Sequence, residues 1–328
     1  YSTNRVKVGK NITIEASAKT VVSYSSSDTN IAVVSDTGVV TGKAAGTATI
    51  TITANASKNY DEISDTLQVI VTEPQVAKKI SDCVVTLQNT SYTYDGGEKT
   101  PTVTVEDNNS VLTIGEDYEV TYANNTNAGT ATVTVTGKGN YTGIKKVDFA
   151  IKKTANTITA ANVTKVASTK AQSFNIGAKV KGGAKLTYQS NSKSITVDKN
   201  SKVTIAKNYI GRATITISAA ATTNYNAAVK QIYVTVIPAV TKLSSVTSAK
   251  IGQLTIKWAK NAAVTGYQVQ YAASSKFTGA KTLTVKSKKT VTSTLSKLKQ
   301  KQKYYVRIRT YKTVGKVNYY SAWSAAKS

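Results

Sequence analysis

Tyrosine and arginine alternate with apolar residues near the end of the chain, over residues 304–311. Alternate side chains of a β-strand point to opposite faces, so one face of this segment is predicted to point inward and the other outward. Aromatic rings and guanidinium groups can stack on sugars or bases, and guanidinium groups can grip phosphate through paired N–H donors. The inward set is Tyr304, Val306, Ile308 and Thr310, and the outward set is Tyr305, Arg307, Arg309 and Tyr311.

Lysines surround this segment and give it one sign of charge. From Ala239 to the end there are 18 basic residues and no Asp or Glu. We predict a face that binds a polyanion or a glycan. The alternative is a solvated strand face that is stabilised by cross-strand contacts between tyrosine and arginine. The candidate face includes Lys286, Lys288 and Lys289, and Lys297, Lys299, Lys301 and Lys303 lie nearby in the sequence.

Charge is divided along the whole chain. Residues 1–153 carry 14 Lys and Arg against 16 Asp and Glu, a balance of −2. Residues 154–328 carry 29 basic residues against one acid, Asp198, a balance of +28, so the two parts sum to the net charge of +26. A surface of one sign attracts polyanions and repels cations.

The chain lacks the residues that most catalytic sites use. The chain has no histidine and one cysteine, Cys83, which is expected to be a small buried apolar residue. The Asp and Glu clusters are expected to be solvated loop acids, and we predict no enzyme, no cofactor and no metal. Calcium in the loop Glu106–Asn109 is one alternative, because this loop offers several oxygen ligands. A Lys–Asn isopeptide bond is another open question, because the sequence does not place the residues that it needs.

The composition favours strands. Thr, Val, Ile and Tyr are abundant, and there are three prolines. No apolar run reaches the length that spans a bilayer, so we expect no membrane insertion. The chain has neither an initiator Met nor a signal-like segment, so it is expected to be an excised or mature piece.

A strand motif occurs three times, at Gly46–Ile52, Gly129–Val135 and Gly211–Ile217, with spacings of 83 and 82 residues. An Asn-Tyr pair and a second alternating strand follow each copy. A period of this length predicts one β-sandwich per repeat. We predict an all-β chain of tandem immunoglobulin-like and fibronectin-like β-sandwiches, joined by short linkers into an elongated rod. The predicted domains are 1–74, 75–153, 154–238 and 239–328.

The repeats resemble domains of bacterial surface proteins. Residues 1–74 resemble the group 2 bacterial immunoglobulin-like domain through Tyr24–Ser27, Gly38–Gly42 and Gly46–Ala48. Residues 154–238 look like a diverged copy, which keeps Leu186–Ser190 but lacks the Gly-Val-Val-Thr-Gly turn. Residues 75–153 resemble an immunoglobulin-like β repeat of Gram-positive surface proteins, through Tyr92–Gly96, Asp117–Tyr122, Asn127–Thr130 and Gly137–Tyr141.

Residues 239–328 resemble a fibronectin type III domain. Leu254–Trp258 matches its strand B, with Trp258 as the core aromatic, and Gly266–Tyr271 matches strand C. The resemblance places Gln268 and Gln270 outward beside the Tyr–Arg face, so both join the candidate site. It also implies that the Tyr304 hydroxyl bonds back to the backbone near Leu298. Tyr320–Ser324 matches the last strand. The segments Ser274–Phe277 and Tyr304–Tyr311 are similar to segments in C-terminal domains of secreted proteins of anaerobic gut Firmicutes.

These resemblances imply an extracellular, cell-surface or cell-wall protein. The first hypothesis is a non-catalytic spacer whose basic C-terminal domain docks on an anionic cell-wall polymer or polysaccharide. The second is an adhesin that binds host glycan, mucin or matrix protein. The third is a filament subunit, in which an acidic half of one molecule meets the basic half of the next, so the chain is either monomeric or assembled head to tail. Nucleic acid is disfavoured, because the resemblance implies an extracellular setting.

Overall fold

A computed structural model describes residues 4–328, which form β-strands and one 3-10 turn at Ile80–Asp82. No helix in this range is long and apolar enough to cross a membrane. The strands up to Lys152 are β1 Arg5–Lys7, β2 Asn11–Thr13, β3 Val22–Ser26, β4 Ala32–Val34, β5 Val39–Gly42, β6 Gly46–Ala54, β7 Ile63–Thr72, β8 Lys78–Lys79, β9 Val84–Leu87, β10 Ser91–Thr93, β11 Val103–Asp107, β12 Ser110–Val111, β13 Tyr118–Ala123, β14 Gly129–Gly137, β15 Tyr141–Thr142 and β16 Ile144–Lys152.

The rest of the chain is also built from strands alone. These are β17 Ile158–Thr159, β18 Val163–Val166, β19 Gln172–Asn175, β20 Lys179–Val180, β21 Leu186–Ser190, β22 Ile195–Val197, β23 Lys202–Ile205, β24 Gly211–Ala219, β25 Ala228–Ile237, β26 Leu243–Thr247, β27 Leu254–Trp258, β28 Gly266–Ala272, β29 Lys281–Val285, β30 Thr292–Leu295, β31 Tyr305–Val314 and β32 Val317–Tyr320. The predicted all-β class is confirmed.

The chain divides into two compact units. Unit 1 comprises the described residues up to Asn89, with Pro101–Ala123 and Thr132–Asp148. Unit 2 comprises Thr90–Thr100, Asn124–Ala131 and Phe149–Ser328. The four domain ranges drawn from the sequence stay predictions.

The three repeats share one sheet topology. Their four-stranded sheets have the orders β1-β7-β6-β3, β10-β16-β14-β13 and β18-β25-β24-β21. The first strand of each order runs parallel to the second, while β6 and β24 pair antiparallel with both of their neighbours. Each repeat adds a three-stranded sheet, with the orders β2-β5-β4, β9-β11-β12 and β19-β23-β22. The recurring sequence motif therefore marks the same central strand in each repeat.

A glycine opens that central strand for a conformational reason. Gly46, Gly129 and Gly211 have φ values of 157°, 153° and 152°, a region that side chains with a Cβ rarely adopt. At Gly211, a Cβ would also lie 2.7 Å from the Tyr209 hydroxyl oxygen. The repeated glycine thus sets the direction in which the chain enters the strand.

Paired sheets enclose apolar cores, which makes them sandwiches. In unit 1, Ala48 and Ile50 of β6 pack with Ala32 and Val40 from the facing sheet. In unit 2, one core joins Ile215 and Val234 to Ile195 and Val203, each fully or almost fully buried. The second core of unit 2 lies between the sheets β26-β27-β30 and β29-β28-β31-β32 and is formed by Leu243, Ile256, Trp258, Val264, Tyr267, Val269, Leu295, Val306 and Ile308.

The last sandwich confirms several details of the sequence prediction. The predicted strands B and C correspond to β27 and β28. Trp258 is buried at 3% exposure, and its ring centroid lies 5.4 Å from that of Tyr267. The Lys299 N–H donates to the Tyr304 hydroxyl oxygen at 3.2 Å, as the corner motif implied. The prediction of a last strand over Tyr320–Ser324 was wrong, because β32 ends at Tyr320.

Two groups with candidate chemistry have structural roles. Cys83 is buried, as expected, and burial raises the pKa of its thiol. Asn108 and Asn109, at φ 47° and 65°, form the turn between β11 and β12. The Asp107 carboxylate accepts hydrogen bonds from Lys78 and from the Tyr141 hydroxyl. Within residues 4–328, no three His, Cys, Asp or Glu side chains converge as a metal site requires.

Asp107 makes unit 1 sensitive to acid. The hydrogen bond from Lys78, followed by that from Tyr141, holds the pKa of Asp107 below its ordinary value of 3.8. A depressed pKa adds stability above the unfolded pKa of about 3.9, and this stability is lost as the pH falls through the folded value. We expect Asp107→Asn to lower the melting temperature at pH 6, with a difference from wild type that shrinks below about pH 4. Calorimetry across pH measures it. Asp61→Asn, at an exposed carboxylate, is the control, and an equal acid response of both variants would contradict the assignment.

Tyr304→Phe tests the corner hydrogen bond. We expect a loss of about 1 kcal/mol in the free energy of unfolding, because one backbone N–H loses its acceptor. Both tryptophans, Trp258 and Trp323, lie in the last sandwich, so tryptophan fluorescence in a urea titration reports on this sandwich alone. The control is Tyr305→Phe, because the Tyr305 hydroxyl has no hydrogen bond within residues 4–328. It should change the free energy of unfolding by less than about 0.5 kcal/mol. Equal losses in both variants would refute the role of the hydroxyl.

Candidate polyanion-binding face

The candidate face lies on the outer side of the sheet β29-β28-β31-β32. The register sets Gln270 opposite Arg307 and Gln268 opposite Arg309. On the far side of β28, Gln268 and Gln270 are opposite Thr284 and Thr282. The pleat therefore creates two parallel rows, each with a threonine, a glutamine and an arginine. Alternation along β31 is confirmed, because Val306, Ile308 and Thr310 are fully buried on the inner side.

Each row is joined by hydrogen bonds. Arg307 Nε donates to Gln270 Oε1 at 2.7 Å. Arg309 Nε and Nη2 both donate to Gln268 Oε1, at 2.9 and 2.7 Å. The glutamine amides donate in turn to the hydroxyls of Thr284 and Thr282, at 3.2 and 3.4 Å. Both glutamines thus fix the guanidinium groups in place.

Aromatic rings alternate with these guanidinium groups. Arg307 lies 4.0 Å from the Phe277 ring centroid and 4.8 Å from that of Trp323. Arg309 lies 4.4 Å from the Trp323 centroid and 4.1 Å from that of Tyr320. We call Phe277, Arg307, Trp323, Arg309 and Tyr320 the arginine–aromatic ladder. Such contacts are worth about 0.5–1 kcal/mol each at exposed sites and more where water is excluded.

A bulge after β32 brings Trp323 to this face. The N–H groups of Ser321 and Ser324 donate to the carbonyl oxygens of Thr310 and Ile308, at 3.0 and 2.8 Å. Their hydroxyls accept from the N–H groups of the same two residues, each at 3.0 Å. The three residue steps from Ser321 to Ser324 are therefore matched by two steps, from Thr310 to Ile308, on β31. The extra residue turns the Trp323 ring outward. This bulge is the physical reason why the predicted strand over Tyr320–Ser324 stops early.

Phe277 reaches the ladder from a turn with an unusual backbone. Its N–H donates to the Ser274 carbonyl oxygen at 2.9 Å, and its φ is 62°. A non-glycine residue in this region costs free energy, which the surrounding contacts must offset. The contact of its ring with Arg307 is one such contact.

Sequence reasoning missed the three rings of the ladder. Phe277 was part of a recognised segment, and Trp323 and Tyr320 were assigned to the last strand. Alternation along β31 could not reveal them, because all three belong to other segments. The pair of serines around Ala322 and Trp323 was the available signal, since their hydroxyls can accept the backbone N–H groups that a bulge leaves unpaired.

Tyr311 lies on the outer side of the sheet but is covered there. It was predicted to point outward with Arg307 and Arg309, and its ring contacts Tyr320 on that side, but it is buried at 6% exposure. Gly266 lies opposite Tyr311 and leaves room for its ring, since a Cβ there would lie 2.8 Å from Tyr311 Cε1. Tyr320 covers it, with ring centroids 6.0 Å apart. Tyr311 therefore packs between the two neighbouring strands rather than forming part of the accessible face.

The other predicted residues surround the ladder without joining it. Tyr305 is half-buried, and Lys303 Nζ lies 5.3 Å from its ring centroid. Lys286, Lys288 and Lys289 are exposed in the loop after β29. This loop begins next to Thr284, the threonine in the same row as Arg309. Lys288 Nζ donates to the Ala262 carbonyl oxygen at 3.3 Å. The structure thus brings together Arg307, Arg309, Gln268 and Gln270 and leaves the three lysines on an adjacent loop.

The ladder can still accept an anion at its edges. Burial lowers the pKa of Arg309, and neighbouring Arg307 acts in the same direction, yet an arginine stays charged at neutral pH. Within residues 4–328, Arg307 uses only Nε in hydrogen bonds, so both of its terminal nitrogens remain available as donors. The guanidinium groups are held in fixed positions, so an anion would order few additional atoms on binding.

Trp323→Ala should show how far the ladder stabilises the last sandwich. Its ring contacts both guanidinium groups, so we expect a loss of about 2 kcal/mol in the free energy of unfolding. Urea titration with Trp258 fluorescence measures this loss. Trp323→Phe keeps a ring face and should lose less than half as much. An alanine variant as stable as wild type would show that the ladder does not contribute to stability.

Comparison with known domain families identifies both ends of the chain. Residues 4–63 match the bacterial Ig-like domain (group 2), and residues 238–327 match the fibronectin type III domain. These matches confirm the resemblances predicted for the two ends. The resemblances predicted for residues 75–153 and 154–238 stay predictions.

Solved structures with similarity to the chain include several multidomain proteins. Domains A168–A170 of titin match at 13% identity and a TM-score of 0.31, over 75% of this chain and 97% of that one. A two-domain fibronectin type III segment of chicken tenascin matches at 15% identity and a TM-score of 0.29, over 65% and 96%. Domains 1–6 of the surface layer protein SbsC match at 14% identity and a TM-score of 0.26, over 99% and 52%.

No curated protein sequence matches the chain. The chain is thus similar to the group 2 bacterial Ig-like domain at one end and to the fibronectin type III domain at the other.

Proposed function

We propose that this chain is a non-catalytic, extracellular surface module whose fibronectin type III domain docks on an anionic cell-wall polymer. The Ig-like sandwiches act as the spacer. A phosphate-rich polysaccharide such as teichoic acid has the required charge. The observation that carries the proposal is the arginine–aromatic ladder, which presents two ordered guanidinium groups on a domain without a carboxylate side chain.

Charge supports docking on a polyanion. The segment from Ala239 onward has 18 basic residues and no Asp or Glu, so few of its lysines can pair within the domain. All three described salt bridges lie before residue 140, and Lys286, Lys288 and Lys289 are exposed. A field of one sign over such a surface raises the local concentration of an anionic polymer.

The geometry favours an anion over a neutral sugar at this face. Stacking on a sugar needs a free ring face, and both guanidinium groups lie over the Trp323 ring. The Phe277 and Tyr320 rings also carry a guanidinium group each. Guanidinium edges, by contrast, suit phosphate oxygens. A neutral sugar would have only those ring faces that no guanidinium group covers.

Binding of the full chain to purified Gram-positive cell walls, with and without teichoic acid, tests the proposal. We expect binding only where the polymer is present. It should weaken steeply as salt is raised from about 0.1 M, where the Debye length is about 10 Å, to 1 M, where it is about 3 Å. Saturable binding to host glycan or matrix protein that survives 1 M salt would favour an adhesin instead.

A matched pair of triple variants locates the binding face. Replacement of Lys286, Lys288 and Lys289 by Gln should reduce wall affinity by about tenfold, if each charge contributes a few tenths of a kcal/mol or more. Replacement of Lys10, Lys19 and Lys43 by Gln changes the net charge equally in the Ig-like end and should leave binding nearly unchanged. Equal losses in both variants would mean that net charge alone drives binding and would remove the assignment to this face.

A further inference from the structure

The Asn-Tyr pair of each repeat lies in a turn that follows the central strand. It is Asn59–Tyr60 in the first repeat, Asn140–Tyr141 in the second and Asn224–Tyr225 in the third. The first and third turns have the same backbone hydrogen bond. Ser57 N–H donates to the Tyr60 carbonyl oxygen at 2.9 Å, and Thr222 N–H donates to the Tyr225 carbonyl oxygen at 3.0 Å.

In unit 2, an extended segment pairs with this turn. Thr154 N–H donates to the Asn224 carbonyl oxygen at 3.0 Å, and Asn226 N–H donates to the Thr154 carbonyl oxygen at 2.9 Å. The pairing is parallel and sets Thr154 opposite Tyr225. Thr154 lies two residues beyond the end of β16. The extended segment that leaves β16, which we call the exit strand, therefore provides the partner for the turn.

Side chains complete the contact in unit 2. The Asn224 Oδ1 atom accepts from Ala128 N–H at 2.8 Å, and Asn224 Nδ2 donates to Asn127 Oδ1 at 2.9 Å. The Tyr225 ring meets the Tyr94 ring edge to face, with centroids 5.7 Å apart. The turn is therefore held by an exit strand, a tyrosine ring and an asparagine-rich loop.

The turn of the second repeat, in unit 1, also pairs with an extended segment. Lys78 N–H donates to the Asn140 carbonyl oxygen at 2.9 Å, and Lys78 lies opposite Tyr141 in the parallel pair β8–β15. Tyr141 is buried at 9% exposure. Pairing with an extended segment is thus a property of this turn in two repeats.

The turn of the first repeat has no such partner within residues 4–328. No described group pairs with the Asn59 carbonyl oxygen or the Asp61 N–H, the atoms that correspond to the paired atoms of Asn224 and Asn226. The Tyr60 side chain is 48% exposed, and its described ring contact is with Lys19 Nζ at 5.7 Å. Val21, which lines the same hollow as Tyr60, is 74% exposed, and Ile63 at the start of β7 is 71% exposed. A hollow of about 640 Å³ is lined by Lys19, Thr20, Val21, Asn55, Ala56, Ser57 and Tyr60.

We propose that the Asn59–Tyr60 turn is a docking surface for another β-sandwich module of the kind that provides Tyr94, Asn127 and Thr154. The exit strand of that module pairs in parallel with Asn59–Asp61. A tyrosine ring of the module packs against Tyr60, and an asparagine-rich loop meets the Asn59 amide. The argument rests on the equivalence of the two turns and on the contacts that one of them makes within unit 2.

A chimera tests the docking surface. Residues 75–163 are added directly ahead of Arg5. Arg5 lies opposite Ile70 of β7, and Thr164 lies opposite Thr235, the equivalent position of β25. The added module therefore stands at the same distance from the first repeat as residues 75–163 do from the third. Amide hydrogen exchange of residues 57–63 is compared between this chimera and the original chain. We expect exchange in this segment to slow by about tenfold in the chimera, because the Asp61 N–H gains an acceptor. Residues 222–228 should exchange alike in both proteins.

Two control chimeras separate the parts of the proposal. A chimera that carries residues 239–328 as the added module should leave exchange at residues 57–63 unchanged. Tyr94→Ala with Asn127→Ala in the added copy should remove most of the protection. Protection that persists in either control would overturn the proposal, since bulk or strand pairing alone would then suffice.

Unchanged exchange at residues 57–63 in the main chimera would also overturn the proposal, if the added module is folded. A single protected population for residues 131–135, which both copies contribute, shows that it is. If the added copy is unfolded, Tyr94→Ala with Asn127→Ala is made in the original chain instead. Exchange at residues 222–228 should then rise towards that at residues 57–63, and unchanged exchange there would overturn the proposal.

Discussion

Burial of alternate side chains between two sheets holds each sandwich together. With one cysteine in the chain, no internal disulfide can share this role. The central strands β6 and β24 show the consequence. Inward side chains such as Ile50 and Ile215 are fully buried, while threonines occupy most of the outward positions. A one-residue slip in register would expose the first set and bury the second, so the same alternation that stabilises the sandwich also fixes its register.

The last sandwich adds a second layer of packing on its outer face. Positive charge on a strand face normally repels its neighbours, and Arg307 and Arg309 lie two residues apart on β31. The rings of the ladder and the two glutamines let these side chains lie close together without a carboxylate. The domain can therefore lack acids entirely and still hold its arginines in one conformation.

Local patterns predicted much of this architecture, since alternation, turn glycines and the corner tyrosine act between residues that are near in sequence or in adjacent strands. The three central strands, the buried Trp258 and the hydroxyl contact of Tyr304 belong to this class. Only the arginines of the ladder could be predicted from the sequence, and its aromatic rings could not. Arg307, Arg309 and the glutamines follow from register, but Trp323 depends on a bulge and Phe277 on a turn with positive φ. The burial of Tyr311 was not predicted, because it depends on the missing side chain of Gly266 on the neighbouring strand.

The parallel pairing of first and last strands has a mechanical consequence. In the first and third repeats, β1 runs parallel to β7 and β18 runs parallel to β25. Tension applied at the two ends of such a repeat pulls the paired strands past each other along their length. All hydrogen bonds of the pair then bear the load together and must break in concert, whereas a hairpin pulled open from one end breaks them singly. Each of these repeats is thus built to resist stretching between its own termini.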